Sequence, residues 1–389
     1  MRKKNLLIVN DSGLSGGGAE ERLLLLINRL KREKYFSSIH FLSLRDSDAG
    51  SVEGVLFHSF ASLKKKRKEF ISKLILENSV DIVQLHNVDQ LVSFVMPVVK
   101  KHKIPSIWFS HDYWALCAKR SMCDPLSYDE KICEKSEIIK CSKCSGMRNY
   151  LHLLKVRNLL NQADVGIAQG EKVKNIFEKN NVLKNRWKVV VPWIDSGFYF
   201  ENKTALRNKD ILFVGALTPY KGAHIAVKAF KRISKVFSGT RLILAGANQE
   251  KGTKFRNYIE DIAEKDKILD NIVFAGLKSK KQLRELYKKS LLLIFASIWQ
   301  EPFGLVWAES MISGLPVIAY DIGGISEYLK NYGMLFKSGD HQELADKAIF
   351  LISERDFYKK LSIKSKKYAA EKFSVDNAFK EMIRIYERI

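Results

Sequence analysis

The sequence lacks any apolar run long enough to cross a bilayer. Away from the N-terminus, its longest apolar runs are Leu23 to Ile27 and Leu291 to Ala296, whereas a spanning helix needs about 20 apolar residues. At the N-terminus, a basic start is followed by only four apolar residues before Asn10. That is too few for the apolar segment of a secretory signal. These absences predict a cytoplasmic protein without a transmembrane anchor.

Internal repeats and low-complexity tracts are also absent, which excludes solenoid and disordered classes. The 389 residues suggest two domains, and a 46% apolar content is enough for two cores. Basic residues outnumber acidic ones by 66 to 43, a net charge of +23. The excess is spread over both halves and favours an anionic partner, which could be a nucleotide, a nucleic acid or an acidic membrane surface.

Strand-like and helix-like segments alternate through the first half of the chain. An apolar run at Leu6 to Val9 precedes a glycine-rich turn and an amphipathic segment at Glu21 to Leu30. Further strands are predicted at Ile39 to Ser43, Asp81 to His86 and Ser106 to Ser110, and a helix over Leu63 to Glu77. Such alternation predicts a parallel sheet covered by helices.

The pattern begins again at Asp210, after an irregular segment at Val191 to Arg207 that is the predicted hinge. Strands are predicted at Ile211 to Gly215, Arg241 to Gly246, Ile272 to Phe274, Leu291 to Ala296 and Pro316 to Ala319. Helices are predicted at His224 to Phe237, Lys281 to Lys289 and Phe303 to Ser313. The chain is therefore predicted to be an α/β protein with two doubly wound domains.

The turn at Gly16-Gly17-Gly18 lies between the first predicted strand and helix. Backbone without Cβ atoms lets a ligand approach the N–H groups of a helix start. The turn is not the dinucleotide fingerprint, because the G-x-G-x-x-G spacing is missing. By itself it fits either a ligand site or a tight connection.

Two carboxylates, Glu301 and Glu309, stand eight positions apart around the start of a predicted helix. Free N–H groups at a helix start attract phosphate, and eight residues are a little over two helical turns. The pair would suit a ligand with hydroxyls on both sides of a diphosphate. The alternative is a carboxylate at a helix start and a solvated one within the helix.

Three further motifs are Pro219-Tyr220-Lys221-Gly222, Gly323-Gly324-Ile325-Ser326-Glu327 and His111-Asp112-Tyr113-Trp114. With the glycine-rich turn and the two glutamates, they resemble the retaining nucleotide-sugar glycosyltransferases of family 4. The His-Asp-Tyr-Trp segment is similar to that of bacterial surface-polysaccharide members. The resemblance implies the GT-B fold, in which two Rossmann-like domains face a central cleft.

The resemblance also implies a domain plan and a reaction. Residues 1–193 would bind the acceptor and carry a cysteine-rich insertion at 115–150, residues 194–372 would bind the nucleotide sugar, and a helix at 373–389 would cross back to the first domain. A sugar would pass, with retention, from a UDP- or GDP-type donor to a glycan or lipid-linked acceptor in cell-surface polysaccharide or glycoconjugate synthesis. No cofactor is implied for catalysis.

The resemblance assigns roles to individual residues. Lys221 would contact the donor diphosphate, Glu309 the ribose, and Glu301 and His111 the donor sugar, so that His111, Glu301 and Lys221 form the catalytic set. The remaining donor-binding residues would be Gly17, Gly18, Gly215, Gly304, Leu305 and Val306. One departure is Ala216, which stands where the family usually has an arginine, and a lost charge-assisted hydrogen bond is worth about 1.5–3 kcal/mol.

All five cysteines fall between Cys117 and Cys144, and the last two form C-x-x-C. Four of them match cysteines that often follow the His-Asp-Tyr-Trp segment, namely Cys117, Cys133, Cys141 and Cys144. In a cytoplasmic protein this clustering predicts a structural zinc site, with Cys123 left over. The alternative is a set of reduced thiols.

The basic run Lys64 to Lys68 opens the helix predicted before the third strand. It is either a solvated face or a contact with anionic lipid, which would make the protein peripheral at the inner face of the cell membrane. A different functional class, a nucleic-acid-binding protein with a cysteine-metal knuckle, is disfavoured because the basic residues are scattered. No nucleic-acid partner is therefore expected. An epimerase or phosphorylase of the same fold fits less well, because phosphorylases are much longer and epimerases lack the cysteine segment.

Overall fold

The computed structural model describes residues 2–14, 17–45, 52–60, 66–120, 122, 133, 138–195, 209–248, 250–337 and 339–389. The chain forms two compact units. The first comprises residues 1–122, 134–194 and 375–389, and the second comprises 123–133 and 195–374. Before position 138, most of the cysteine-rich insertion predicted at 115–150 lies outside the described residues, so its predicted place in the first domain stays a prediction.

A parallel sheet of seven strands forms the centre of the first unit in the part of the chain that is described. Its order is β3-β2-β1-β4-β5-β6-β7. The strands are β1 (Asn5–Val9), β2 (Ser38–Ser43), β3 (Leu56–Ser59), β4 (Ile82–Leu85), β5 (Ser106–Phe109), β6 (Val165–Ala168) and β7 (Trp187–Val189). The interior strand β1 pairs with β2 and β4 and is almost wholly buried, because parallel strands covered on both faces need apolar residues on both.

The helices of the first unit are α1 (Gly18–Arg32), α2 (Arg67–Glu77), α3 (Val92–Lys101), α4 (Ile138–Ser145), α5 (Met147–Leu160), α6 (Glu171–Lys179) and α14 (Val375–Glu387). Helix α1 buries leucines and isoleucine at helical spacing against the sheet, among them Leu23, Ile27 and Leu30. The C-terminal helix α14 joins the same core through Met382 and Tyr386. This helix lies within the segment 373–389, for which the resemblance implied a helix.

The second unit has its own parallel sheet, with six strands among the described residues in the order β10-β9-β8-β11-β12-β13. The strands are β8 (Asp210–Val214), β9 (Arg241–Ala245), β10 (Ile272–Gly276), β11 (Leu292–Phe295), β12 (Val317–Tyr320) and β13 (Met334–Phe336). The helices are α7 (Ala223–Val236), α8 (Lys254–Lys265), α9 (Lys280–Lys289), α10 (Leu305–Ile312), α11 (Ile325–Leu329), α12 (His341–Ser353) and α13 (Arg355–Lys372). Buried aliphatic side chains of β8, β9 and β11 pack beneath α7 and α12.

Two parallel, doubly wound α/β units confirm the predicted fold class. Two helix starts were predicted too early. Helix α2 begins at Arg67 and not near Leu63, because Lys66 has a left-handed backbone with φ +64°, and α10 begins at Leu305, because Gly304 has φ +80°. Four strands at or near sheet edges, β3, β6, β7 and β13, were not predicted.

Over the described ranges, we find no helix that is both long and apolar enough to cross a membrane.

Candidate active site

The second unit places its predicted site residues where the strand order reverses. The chain leaves β8 towards β9 on one side and leaves β11 towards β12 on the other, so the loops after β8 and β11 part at their carboxyl ends. In open α/β sheets this switch point forms a crevice that binds ligands. Lys221 follows β8, and Glu301 follows β11.

Lys221 and Glu301 form an ion pair at this point. Lys221 Nζ lies 2.7 Å from Glu301 Oε2, and it also lies 5.1 Å from the centre of the Trp299 ring. The same carboxylate oxygen accepts hydrogen bonds from Ser297 Oγ at 3.0 Å and from Trp299 Nε1 at 2.6 Å. Because three donors hold one oxygen, the nearly buried carboxylate is fixed in position.

Close backbone packing holds the two loops together. Gly222, directly after Lys221, has φ +77°, and a Cβ atom there would lie 1.8 Å from the carbonyl oxygen of Ala296. A Cβ atom on Gly323 would likewise lie 2.4 Å from the carbonyl oxygen of Glu301. Only glycine fits these positions without displacing backbone, which explains part of the predicted motifs in terms of packing.

Helix α10 begins beside Glu301 and supplies free amides. Gly304 is the residue before the helix, and Leu305 and Val306 form its first turn. Their N–H groups have no carbonyl partner within an α-helix, so this end carries partial positive charge. All three residues with predicted diphosphate-binding amides therefore lie at the start of α10, and their contact with a diphosphate stays a prediction.

Glu309 lies farther along the same helix and is 8% exposed. Its Oε2 accepts a hydrogen bond of 2.9 Å from the hydroxyl of Tyr287, which is fully buried on α9. The carboxylate is thus oriented by a neighbouring helix and is not a solvated side chain. The solvated glutamate of the alternative is therefore not observed, and contact of Glu309 with a ribose stays a prediction.

Gly215 ends β8, and its N–H donates to the carbonyl of Ala245 at 2.9 Å. A Cβ on Gly246 would lie 2.0 Å from the Gly215 carbonyl oxygen. The backbones that follow β8 and β9 are therefore in direct contact at these two glycines. The next residue, Ala216, accepts from the N–H of Thr218 at 2.8 Å. The Gly215 N–H is thus already hydrogen-bonded to the neighbouring strand.

His111 lies in the first unit, after β5, and both of its ring nitrogens have protein partners. Arg22 Nη2 lies 3.1 Å from His111 Nδ1, and His86 Nδ1 lies 2.7 Å from His111 Nε2. Arg22 also donates to Gln169 Oε1 at 3.2 Å. The Gln84 amide lies 2.6 Å from His86 Nε2.

This arrangement fixes the proton on His111. An arginine only donates, so Nδ1 of His111 is the acceptor and neutral His111 carries its proton on Nε2, facing His86. Burial, helped by the charges of His86 and Arg22, holds the pKa of His111 well below its usual range. Burial and Arg22 lower the pKa of His86 to about 3. Both rings are therefore neutral at physiological pH.

Gly17 directly precedes α1 in the first unit, Gly18 begins this helix, and Gly16 lies outside the described residues. The Gly17 N–H donates to Glu20 Oε2 at 3.1 Å. Gly18 accepts from Arg22 Nε at 3.2 Å. The Gly17 amide is therefore occupied by the helix cap in this structure.

The cysteine cluster is not assembled as a metal site among the described residues. No group of three or more His, Cys, Asp or Glu side chains there has the proximity that a metal ion needs. Cys141 and Cys144 lie one turn apart on α4, Cys117 lies in the turn after Trp114, and Cys123 is outside the described residues. Zinc binding by Cys117, Cys133, Cys141 and Cys144 stays a prediction.

Several residues of these clusters escaped the sequence analysis. They are Arg22, His86, Gln169, Tyr287, Ser297 and Trp299. Ser297 directly follows a predicted strand, Trp299 comes two residues later, and His86 is the last residue of another, so the rule that singled out His111 could have found them. Arg22 and Tyr287 lie on helices with surface-like spacing and gave no such signal.

Two doubly wound α/β units, with a lysine–glutamate pair and a helix start at the switch point of the second, define a protein of the GT-B fold. The crystal structure of Anabaena Alr3699/HepE in complex with UDP and glucose superposes with a TM-score of 0.74 at 18% identity, covering 99% of this chain and 100% of that one.

Residues 198–368 match the family described as "Glycosyl transferases group 1". These residues, which make up less than half of the chain, are similar to that family. The chain's similarity to the uncharacterized glycosyltransferase MJ1178 of Methanocaldococcus jannaschii is 26% identity over 96% of this chain and 95% of that protein. The uncharacterized glycosyltransferase MJ1607 of the same organism is 29% identical, but the match spans only 56% of this chain and 57% of that protein.

Proposed function

We propose that this protein is a retaining glycosyltransferase that moves a sugar from a UDP- or GDP-type donor to a glycan or lipid-linked acceptor in cell-surface polysaccharide or glycoconjugate synthesis. The observation that carries the proposal is the ion pair of Lys221 and Glu301 beside the start of α10. It combines a cation, free helix amides and a fixed carboxylate, which are the groups that a nucleotide sugar requires. The UDP complex of Alr3699/HepE supports a nucleotide donor.

Lys221 would stabilise the nucleoside diphosphate as the leaving group. When the bond between sugar and diphosphate breaks, negative charge grows on the phosphate oxygens, and a fixed cation stabilises that state more than the ground state. The ammonium has three donors and gives one to Glu301 in this structure. Two remain for phosphate, with the amides of Leu305 and Val306 as further donors. In this proposal protein groups, and no cofactor, carry the charge.

Glu309 would hold the ribose. A carboxylate accepts from two neighbouring hydroxyls, and the Tyr287 hydroxyl orients it through Oε2. Glu301 would contact the donor sugar. A sugar contact by His111 would require its Nε2 proton to leave His86, because Nδ1 already accepts from Arg22. In this proposal His111 Nε2 therefore gives up its hydrogen bond to His86 and donates to the sugar instead.

A thermal-shift screen against UDP, GDP, ADP and their sugars tests this function. We expect one nucleotide class to raise the melting temperature, since a ligand at 100 times its Kd stabilises by about 2.7 kcal/mol. The shift should be much smaller for Glu309→Ala and partly reduced for Tyr287→Phe, whose only change is the hydroxyl that orients Glu309.

The matched control is Glu285→Ala, which removes a half-exposed carboxylate on α9. This variant should show the full rise in melting temperature with the nucleotide. A random oligonucleotide should produce no shift. Stabilisation by the oligonucleotide alone would favour the nucleic-acid-binding alternative, and equal shifts for Glu309→Ala and the unmodified protein would remove Glu309 from the ribose site.

We further propose that α2 contacts anionic lipid. Lys64 and Lys65 lie outside the described residues, and Arg67 lies over the rings of Phe60 and Phe94 at 5.6 and 5.1 Å, so it packs within the fold. The outward cations of α2 are Lys68 and Lys73, and Lys73 lies 3.5 Å from Glu77. Both lysines line a groove with Leu76, itself 61% exposed, and with Glu69 and Glu77. An exposed apolar side chain beside lysines suits an acidic membrane surface.

Cosedimentation with vesicles tests the membrane contact. Binding to vesicles with anionic lipid should fall with salt, and Lys68→Glu/Lys73→Glu should weaken it about 30-fold, because each basic residue near the surface contributes about 1 kcal/mol. Lys359→Glu/Lys360→Glu, the same charge change on exposed residues of α13, should bind nearly as well as the unmodified protein. Equal binding to neutral and anionic vesicles at low salt would leave α2 as a solvated face.

A further inference from the structure

Trp299, in the loop after β11, contacts both charged side chains at the switch point of the second unit. Its Nε1 donates to Glu301 Oε2 at 2.6 Å, and its ring lies 5.1 Å from Lys221 Nζ. The side chain therefore has two separable features, an N–H directed at the carboxylate and an aromatic face directed at the ammonium. In the proposed reaction the carboxylate contacts the donor sugar and the ammonium the diphosphate, so each feature would act on a different half of the donor.

Backbone contacts hold Trp299 in this position. The N–H of Glu301 donates to the Trp299 carbonyl at 2.6 Å, a tight turn across three residues. The N–H of Ile298 donates to the carbonyl of Tyr220 at 2.8 Å, and Tyr220 directly precedes Lys221. The ring of Tyr220 lies edge-on to the indole, with 6.2 Å between the ring centres and 75° between the planes. The indole, 9% exposed, is thus packed between the loops after β8 and β11.

The indole N–H determines how the carboxylate of Glu301 is presented. Oε2 accepts from Lys221, Ser297 and Trp299, whereas Oε1 has no donor in the part of the chain that the structure describes. Oε1 is therefore the oxygen that can accept from a sugar hydroxyl. The two neutral donors to Oε2 are Ser297 at 3.0 Å and Trp299 at 2.6 Å, and the shorter bond to a charged acceptor is the stronger restraint.

The aromatic face of Trp299 restrains Lys221. An ammonium near an aromatic ring is attracted by the electrons of the ring face. Unlike a second carboxylate, the ring is uncharged, so it holds the lysine without neutralising it. The Lys221 side chain is 24% exposed, which leaves one side open to a ligand. The ring therefore keeps a cation beside the start of α10 and leaves its charge available to a diphosphate.

We infer that Trp299 is a positioning residue with two roles: its N–H fixes Glu301 for the donor sugar, and its ring fixes Lys221 for the diphosphate. The inference rests on the proposed glycosyl transfer for the two halves of the donor, and on the contacts of the indole for the separation of the roles. Loss of the N–H alone should slow transfer and spare nucleotide affinity, whereas loss of the whole indole should impair both.

Two substitutions of Trp299 in the full-length protein test this separation, with UDP-glucose, GDP-mannose and ADP-glucose as donor probes. Trp299→Phe keeps an aromatic face and removes Nε1. Release of nucleoside diphosphate should be about 10-fold slower, because one hydrogen bond to a charged group is lost, while the Kd of the nucleoside diphosphate changes by less than about twofold. Trp299→Leu removes both features and should also raise that Kd about 3-fold, the loss of one cation–π contact. A coupled assay measures the release, and calorimetry measures the Kd.

A double-mutant cycle shows whether Trp299 acts through Glu301. In Glu301→Gln the charge that the indole N–H holds is absent, so adding Trp299→Phe should slow release by less than about threefold further. A role in packing alone would give the same loss in both backgrounds, because packing of the ring does not depend on the charge of the carboxylate.

Trp187→Phe is the matched control. Trp187 on β7 is 4% exposed, and its Nε1 donates to the carbonyl of Val182 at 2.8 Å, so this variant also loses a buried indole hydrogen bond. Its melting temperature should fall, whereas release and nucleotide affinity should stay within about twofold of the unmodified protein.

The inference would be overturned by unchanged release in Trp299→Phe, by equal losses of release and nucleotide affinity in that variant, or by full additivity in the cycle. The unmodified protein is measured in the same series. If it binds none of UDP, GDP and ADP and releases none from the three donors, the proposed function fails and the inference fails with it. Normal donor turnover in both the unmodified protein and Trp299→Phe would reject only the role of Trp299.

Discussion

Lys221→Ala is expected to slow release of nucleoside diphosphate from the sugar donor about 10²- to 10³-fold. The ammonium lies at the switch point of the second unit, 2.7 Å from Glu301, and it would meet the charge that develops on the diphosphate. Affinity for the nucleoside diphosphate should also fall, by about 10- to 100-fold, because a hydrogen bond to a charged group contributes about 1.5–3 kcal/mol. A coupled assay measures the release, and calorimetry measures the affinity.

Two variants separate charge from packing in this experiment. Lys221→Arg keeps a cation and should retain much of the affinity. Lys228→Ala removes a partly buried lysine of α7, one element farther along the chain, and should behave as the unmodified protein. Full turnover in Lys221→Ala, with its melting temperature unchanged, would exclude this lysine from the site.

The central strands of both sheets were predictable because burial on both faces makes them continuous apolar runs. Residues Leu6 to Val9 were predicted for β1, and the structure extends this strand only to Asn5. Strand β3 escaped because an edge strand takes its conformation from one neighbour and needs no apolar run. Its first residue, Leu56, is 52% exposed, and its remaining residues are only partly buried.

The site residues were predictable one by one, but their contacts were not. Lys221 and Glu301 are 80 positions apart, and the pairing of β8 with β11 brings their loops together. Topology of this kind has no local sequence signal. His111 shows the same limit, because Arg22, 89 positions away on α1, occupies its Nδ1. From the sequence alone, an arginine in an amphipathic helix is expected to face solvent. Only the assembled sheet shows that Arg22 is buried against His111.

Glu301→Gln is expected to separate donor binding from turnover. The amide oxygen of glutamine can still accept from Ser297 and Trp299, so the local fold is kept, while the charge that pairs with Lys221 is lost. Lys221 then has one competitor fewer, and affinity for the nucleoside diphosphate should be unchanged or higher. Turnover should fall about 10²- to 10³-fold, since a fixed negative charge next to the reacting sugar is gone. The same assay and calorimetry apply.

A double-mutant cycle with Lys221→Ala decides whether the ion pair exists in solution. The side chains of Lys221 and Glu301 are 24% and 9% exposed, so their coupling should appear in urea unfolding as about 0.5–3 kcal/mol of non-additivity. Additive stability changes would mean that the two side chains act separately. Parallel losses of nucleotide affinity in both single variants would contradict the assignment of Glu301 to the sugar. Removal of the Glu301 charge frees Lys221 and takes no contact away from a nucleoside diphosphate that carries no sugar.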